Sequence, residues 1–329
     1  MQAIVYRRYG STEVLRLEEI PRPTPAAGEV LVRVHSAAVN AADRVLLRGE
    51  PFLVRLGTGL SKPRRPVLGF DLSGRVESVG DGVSEFRPND EVFGASKFGA
   101  FAEYACVAED FLVAKPANVS FEHAAATPTA AYTALQGLRD KGRIRAGQSV
   151  LIDGASGGVG TFAIQIAKAF GAEVTAVCST RNVDIARLVG ADHVIDYRRE
   201  DFVAGGRQYD LILAANAYRP IRDYVKTLKA NGIYVMTGGG GRQILQAMTA
   251  GPLLSLTSGK KVGNLMAVPK GPDIRFVKEL LEAGRIVPVI DRTYPLAGVP
   301  DAIRYMEQEH ARGKLVISVS QVDSKASAL

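Results

Sequence analysis

The chain has 329 residues, of which 47% are hydrophobic and 23% charged, and carries a formal net charge of +7 at pH 7. That length exceeds one ordinary core and indicates two domains, and the composition is that of a folded globular chain, not a disordered one. The positive charge is dispersed except at Lys62, Pro63, Arg64 and Arg65, which argues against nucleic-acid binding and leaves a bias toward anionic ligands.

Two cysteines, Cys106 and Cys178, form no C-x-x-C pair. They can build neither a disulfide framework nor a cysteine-rich zinc site, which fits a reducing compartment. The chain starts on a strand-like pattern, Met1 to Arg7, without the basic-then-apolar layout of a signal peptide. No uncharged apolar run reaches the ~18 residues needed to cross a bilayer. The expectation is a cytoplasmic protein with no membrane partner.

In chain order, residues 1–115 are β-rich. Strands are expected at 3–6, 14–20 and 30–34, with Pro21, Pro23, Pro25 and Gly28 separating the last two. A polar-aliphatic turn is expected over 37–44, then an irregular surface loop over 49–66. Strand character resumes over 67–80, Asp81-Gly82 marks a turn, and 86–94 leads into another strand. Short strands and turns without helices between them suggest a small barrel.

From Ser120 onward helix and strand alternate: helix 121–138, strand 149–153, helix 159–170, strand 173–178, helix 182–189 and strands 193–196 and 211–214. Helix 221–228 and strand 232–237 continue the pattern. Such alternation requires right-handed crossovers and a doubly wound parallel sheet. Beyond Pro269 come helix 274–283, a strand near 289–294, helix 300–308 and strand 315–319. Residues 321–329, small and polar, are expected to fray.

One stretch organises this half of the chain. The apolar run Val150, Leu151, Ile152 leads through Asp153 into Gly154, Ala155, Ser156, Gly157, Gly158, Val159 and Gly160, and then into an apolar pattern at helical spacing. Gly154 turns the chain out of the strand, Gly157 lets backbone approach a pyrophosphate, and Gly160 lets the helix pack closely on its strand. The first-turn N–H groups and the helix dipole then face the phosphates. The spacing G-x-x-G-x-x-G is longer at the front than the usual dinucleotide fingerprint, so the flanking strand and helix carry the assignment.

These features together resemble the medium-chain dehydrogenase/reductase superfamily, within it the zinc-independent quinone oxidoreductase and enone reductase branch. The residues that carry the resemblance are Val39-Asn40-x-x-Asp43, Leu68 to Asp71, the run from Val79 to Gly94 and the glycine turn. The resemblance implies a dinucleotide-binding domain, 122–266, inserted into a β-rich GroES-like barrel domain, 1–121 and 267–329, with the active site in the cleft. It also implies a homodimer paired through a sixth strand near 261–268. Metal-dependent relatives place a cysteine ligand where Asn40 stands and a His-Glu pair where Phe70-Asp71 stands, with another cysteine near Thr127-Pro128. The lobe holding their structural zinc would fall between Phe93 and Phe101. Zinc needs thiolate or imidazole; those types are missing there, and His35, His123, His193 and His310 are scattered, so no metal is expected.

An NAD-preferring site presents an acid at the carboxyl end of the second strand. That end here is Ser179, Thr180, Arg181 and Asn182; Glu173 lies at the wrong end and Asp184 in the next helix's first turn. Arg181 offers charge-assisted donors and Ser179 and Thr180 neutral ones to a 2′-phosphate, with Tyr197 flanking it, so NADPH is expected. The alternative for Ser179 and Thr180 is helix capping.

Without a metal, hydride transfer to an isolated ketone lacks stabilisation of its alkoxide, whereas an enone or quinone spreads the charge. The expected substrate is therefore a quinone or the activated C=C of an α,β-unsaturated carbonyl. Asn40 is the leading substrate or nicotinamide contact, or else fixes a turn. Tyr132 is a phenolic donor or a core residue, and Thr127 a contact to the carboxamide. Gly238 and Gly239 are backbone contacts to the nicotinamide or a flexible turn. Relatives carry an Asp-x-Val-Gly type segment where Leu213 to Tyr218 stands here. The substrate pocket is expected from 40–56, Phe70, Phe98, Tyr132 and residues after Pro252. Two other readings remain at this point: a non-catalytic NADPH-binding scaffold, and a reductase of simple aldehydes or ketones, disfavoured by the missing zinc ligands.

Overall fold

The computed structural model describes residues 1–309 and 311–319, without the side chains of Ile244 and Met248. His310 and the 321–329 tail lie outside the described residues.

Two compact units emerge, one comprising 1–129, 269–282 and 290–329, the other 130–268 and 283–289. The first contains β1 (Gln2–Val5), β2 (Arg16–Glu19), β3 (Glu29–Val39), helices α1 (Ala41–Arg48) and α2 (Val54–Thr58), β4 (Asp71–Val79), β5 (Glu91–Ala95), β6 (Tyr104–Ala108), β7 (Leu112–Ala114) and α3 (Phe121–Ala125). Helix α4 (Pro128–Leu135) then leads into the second unit: β8 (Ser149–Asp153), α5 (Gly158–Ala169), β9 (Glu173–Cys178), α6 (Val183–Leu188), β10 (His193–Asp196), β11 (Tyr209–Ala214), α7 (Ile221–Lys226), β12 (Leu228–Met236), α8 (Gly241–Ser258) and β13 (Lys261–Asn264). Helix α9 (Gly271–Glu282), β14 (Ile290–Pro295), α10 (Val299–Gln308) and β15 (Lys314–Ser318) return to the first unit.

The first unit is built on β3. Its eleven residues pair antiparallel with β4, with β6 along the first half and with the late strand β15 along the second. Thus Leu315 faces Val39, and the end of the chain completes the sheet that its beginning starts. The core here runs from Ile4 and Tyr6 through Val30, Leu72 and Phe101 to Ile317. The second unit is one sheet in the order β10-β9-β8-β11-β12-β13, every pair parallel. The crevice of such a sheet lies at the carboxyl ends of its central strands, where the strand order reverses, here between β8 and β11.

Several local expectations are corrected. Residues 37–44 are not a turn: β3 runs to Val39 and α1 begins at Ala41. The 49–66 loop contains α2. The helix expected over 121–138 is broken, because Pro128 lacks an N–H and restricts the residue before it; α3, α4 and a wide π-type turn, Gln136–Lys141, replace it. No sequence signal pointed to α8, whose start lies in a glycine run and whose interior holds Pro252.

The division between units also falls elsewhere than at 121/122 and 266/267. Phe121 stacks on His35, centroids 4.3 Å apart, and its carbonyl accepts from Ser73 Oγ at 2.6 Å, which holds α3 in the first unit. Residues 283–289 join the second unit, where Gln165 bonds both the Val287 N–H (2.7 Å) and carbonyl (3.0 Å).

Candidate active site

At the carboxyl end of β8 the glycine turn forms as its residues require. Gly154 sits at φ +72°, where a Cβ would meet Asn216 at 2.8 Å. The Ala155 N–H donates to Val177 O at 3.1 Å, which ties the turn to β9. Gly157 precedes α5 in extended conformation, and a Cβ there would meet only Gly154 O, 3.6 Å away, so it would fill an open cradle. Gly160 has a different partner from the one expected: its missing Cβ would lie 2.2 Å from Gly154 O and 2.7 Å from Ala155. It seats the helix on its own turn and not on the strand. Gly158 and Val159, in the first turn of α5, are half-buried, so the N-terminal N–H groups of a twelve-residue helix border the cradle.

These contacts separate two glycine substitutions. Gly160→Ala forces backbone apart and is expected to cost about 1–3 kcal/mol of stability. Gly157→Ala fits the fold, with stability within ~0.5 kcal/mol of the parent, but weakens dinucleotide binding about tenfold or more, ~1.4 kcal/mol. Denaturant unfolding and a fluorescence titration check both; equal binding by Gly157→Ala and its parent would remove the phosphate role from the cradle.

At the end of β9, Asn182 Nδ2 donates to Ser156 Oγ (2.8 Å) in the glycine turn and to Ser179 Oγ (3.1 Å). Its Oδ1 is buried with no hydrogen-bond partner among the described residues. Ser179 does not cap the following helix; its oxygen accepts from Asn182 and its own hydrogen remains to donate. Thr180 differs from the expectation. Its hydroxyl donates to Asp196 Oδ2 at 2.6 Å, so that hydrogen is not available to a phosphate.

Asp196, at the end of β10 beside Cys178 in register, also accepts from the Arg198 N–H at 3.0 Å. The Thr180 hydroxyl above all, with that N–H and nearby Arg199, holds its carboxyl below the ordinary range. The acid that sequence reasoning found missing from the second strand is thus supplied by the third, with both oxygens engaged. Arg181, Arg198 and Arg199 are exposed around it, and the Tyr197 ring lies 5.2 Å from that of Tyr218. Tyr197-Arg198-Arg199 directly after an apolar strand was the signal for the two further arginines.

Beyond β11 and β12 the glycines do not form a flexible turn. Ala217 N–H donates to Gly238 O at 2.9 Å, Gly239 bridges Ala217 in parallel, and a Cβ on Gly238 would strike Ala215 O at 2.3 Å. The same 215–219 segment is anchored from below. Tyr224 donates a very short hydrogen bond to Asp153 Oδ2, and its oxygen lies within 3.2 Å of the Tyr218 N–H and 3.4 Å of the Arg219 N–H. Burial raises the Asp153 carboxyl to about 7, against the opposing Tyr224 bond and the Arg219 charge. In the sequence Asp153 only closes an apolar strand, and nothing near it in the chain signals this anchoring role.

In the first unit Asn40 is 7% exposed and joins a buried polar cluster. Its Nδ2 donates to Asp71 Oδ2 (3.0 Å) and Ala38 O (3.3 Å), and its Oδ1 accepts from Lys314 Nζ at 2.5 Å. Both amide hydrogens are therefore engaged, which corrects the expectation that Asn40 donates to substrate; it stands at the start of α1 and holds a buried lysine. Asp43 Oδ2 accepts from the Asn40 N–H (2.8 Å) and Asp43 Oδ1 from the Gly69 N–H (3.0 Å). Burial raises Asp43 to about 7 despite those two bonds. Asp71 accepts in addition from the Thr129 hydroxyl (2.5 Å) and N–H (3.1 Å) and lies 3.5 Å from Lys314 Nζ. Burial pushes Asp71 up and Lys314 down, and the attraction between their charges opposes both shifts. The spacing Asn40-x-x-Asp43 is that of a helix cap and its third residue, which is the local signal in the sequence for α1.

Thr127 is fully buried and its hydroxyl donates to His123 O at 2.7 Å, leaving its lone pairs able to accept from a carboxamide. Tyr132 is 6% exposed on α4, within the second unit, whereas Asn40 belongs to the first. Among the described residues no group of three or more His, Cys, Asp or Glu is arranged to hold a metal ion. No described helix is long and apolar enough to cross a membrane.

Two family models match the chain: "Alcohol dehydrogenase GroES-like domain" over residues 26–117 and "Zinc-binding dehydrogenase" over 189–317. The chain is 31% identical to a chloroplast envelope quinone oxidoreductase homolog of Arabidopsis thaliana, over 96% of its own length and 98% of the relative's. It is 33% identical to an NADPH-dependent alkenal/one oxidoreductase of the same plant, over 96% and 79% respectively. Its structure is similar to that of the quinone oxidoreductase from Coxiella burnetii, with a TM-score of 0.84, 29% identity and coverage of 97% and 99%.

Proposed function

The chain belongs to the quinone oxidoreductase and alkenal/one reductase branch of the medium-chain dehydrogenase/reductase superfamily, and on that premise we propose that it is an NADPH-dependent, zinc-independent reductase of quinones or of the C=C bond of α,β-unsaturated carbonyls. The nicotinamide dinucleotide, when bound, supplies a hydride. One observation carries the choice of NADPH. The end of β9 presents the Ser179 hydroxyl and the exposed Arg181 guanidinium, while the nearby acid, Asp196, is occupied by Thr180 and the Arg198 N–H. A ribose 2′-OH would find no free carboxylate there, and a 2′-phosphate would find cations.

The residues fit that dinucleotide in other ways. The Gly157 cradle and the N-terminus of α5 suit a pyrophosphate. The buried Asn182 Oδ1, which has no donor among the described residues, suits a sugar hydroxyl. The 215–217 and 238–239 segments hold each other in one arrangement, so backbone facing a nicotinamide is fixed before binding.

Zinc independence rests on the donor types. An amide already bound by an ammonium and a carboxylate stands at Asn40, and a phenyl ring at Phe70. With no Lewis acid, substrates whose conjugation spreads the developing charge are preferred, and a proton from water completes reduction at the neighbouring carbon. A homodimer joined through the edge strand β13, beyond which Met266 is 88% exposed, and a cytoplasmic location are part of the same proposal.

The test is NADPH oxidation over 2-alkenals, cyclic enones and small quinones, alongside titration with both cofactors. NADPH is expected to bind at least ~10-fold more tightly than NADH, a gap of ~1.4 kcal/mol, and Arg181→Ala to narrow it. Equal affinities would sink the cofactor assignment. Tight NADPH binding with no turnover across the panel would favour a scaffold role.

A further inference from the structure

The basic segment Lys62, Pro63, Arg64, Arg65 has no part in the site described above. It folds over a cavity of ≈ 250 Å³ in the first unit, lined by Tyr6, Gly57, Thr58, Arg64, Arg65 and Phe98. The segment is held in place: Arg64 N–H donates to Thr58 O at 2.8 Å and Tyr6 N–H to Pro66 O at 2.8 Å. Its three cations are exposed, and none forms an ion pair among the described residues. The Arg65 guanidinium lies 5.6 Å from the centre of the Phe98 ring, close enough for a cation–π contact.

The floor of the cavity is a phenol. Tyr6 is 1% exposed, yet its hydroxyl bonds to no group among the described residues. The other two hydroxyls nearby are already engaged: Tyr9 donates to Gly59 O at 2.6 Å, and Thr58 to Val54 O at 3.0 Å. Burial, with Tyr9 and Asp43 close by, keeps the Tyr6 proton on well beyond the usual phenol range, so this group is a permanent donor. A phenol with no hydrogen-bond acceptor and two guanidiniums with no ion pair among the described residues, beside an aromatic wall, suit an acceptor-only anion carried on a planar group. The cavity is below the ~300–1,000 Å³ of whole-ligand pockets, so it suits one arm of a molecule. Phe98 in turn packs on Phe70, centroids 5.6 Å apart, and Phe70 adjoins Asp71 of the buried polar cluster.

We propose that this cavity is a carboxylate subsite, with Arg64 and Arg65 pairing with the anion, Tyr6 donating to it and Phe98 stacking on the ring that carries it. The inference rests on the reductase reading and narrows it: the substrate is a conjugated carbonyl bearing an aromatic carboxylate.

Two measurements on the full chain test it. The first is calorimetric titration with benzoate at saturating NADPH, comparing the parent with Arg64→Ala/Arg65→Ala and Tyr6→Phe. Benzoate is expected to bind the parent at least ~10-fold more tightly than the double variant and severalfold more tightly than Tyr6→Phe, with an affinity that falls as salt rises. The second compares reduction of 4-carboxybenzalacetone and its methyl ester. The acid-to-ester ratio of kcat/KM is expected to drop at least ~10-fold in the double variant. Ester reduction with benzoate binding the parent and double variant alike overturns the subsite and leaves the reductase reading intact. Arginine-dependent benzoate binding with neither compound reduced supports the subsite as an anion site and overturns the reductase reading.

Discussion

Replacing Lys314 by methionine is expected to lower the unfolding free energy by about 3–5 kcal/mol at pH 7, among the largest single effects in this protein. The reason is what the ammonium leaves behind. Lys314 is 4% exposed and donates to Val39 O at 3.1 Å and Asn40 Oδ1 at 2.5 Å, and it is the counter-charge of fully buried Asp71. Without it a buried carboxylate has only neutral donors, Thr129 and Asn40, and the Asn40 oxygen loses its own donor. The double variant Lys314→Met/Asp71→Asn removes both charges and is expected to recover most of the loss. Denaturant unfolding of the four proteins gives a coupling energy directly. Additive losses would show that the pair is not the unit claimed. The penalty of Lys314→Met should also shrink in acid, because a protonated Asp71 needs no counter-charge.

Asp153→Asn should instead stabilise the protein, and by an amount that depends on pH. Burial raises this carboxyl from 3.8 to about 7, so the folded state binds its proton more tightly than the unfolded chain does. A raised pKa contributes stability that is fully present below the unfolded value and is lost as pH rises through the folded one. Across a shift of this size the loss is on the order of 4 kcal/mol at 1.36 kcal/mol per pH unit. An asparagine keeps an oxygen for the Tyr224 hydroxyl and carries no charge to bury. The variant is expected to be more stable than its parent at pH 8, and the gain to fall by roughly 2–3 kcal/mol between pH 8 and pH 5. Parallel stability profiles for the two proteins would refute the assignment. Asp43, also raised to about 7, steepens the parent's profile further, but its two backbone donors make it a poorer site for the test.

Both predictions concern residues that carried little weight in the sequence, whereas the glycine turn was legible there. Strands 149–153, 173–178 and 193–196 formed within the bounds their apolar runs implied, because each is a short run closed by turn residues. The Asn40-x-x-Asp43 spacing was visible too, but its use as a cap depended on recognising α1. The broken helix at Pro128 and the hidden α8 show where periodicity fails, since proline and glycine interrupt a pattern without always ending the element.

What the sequence determined by itself was the order of elements, the dinucleotide turn and the absence of an acid at the end of the second strand, all set by residues close together in the chain. The tertiary structure alone decided what the polar side chains do. Thr180 gives its hydrogen to an aspartate from the next strand, Asn40 gives both of its own away, and Lys314 reaches back across the sheet to pair with Asp71. A buried donor is spent on the acceptor nearest in space, and that acceptor is chosen by strand pairing between segments far apart in the chain.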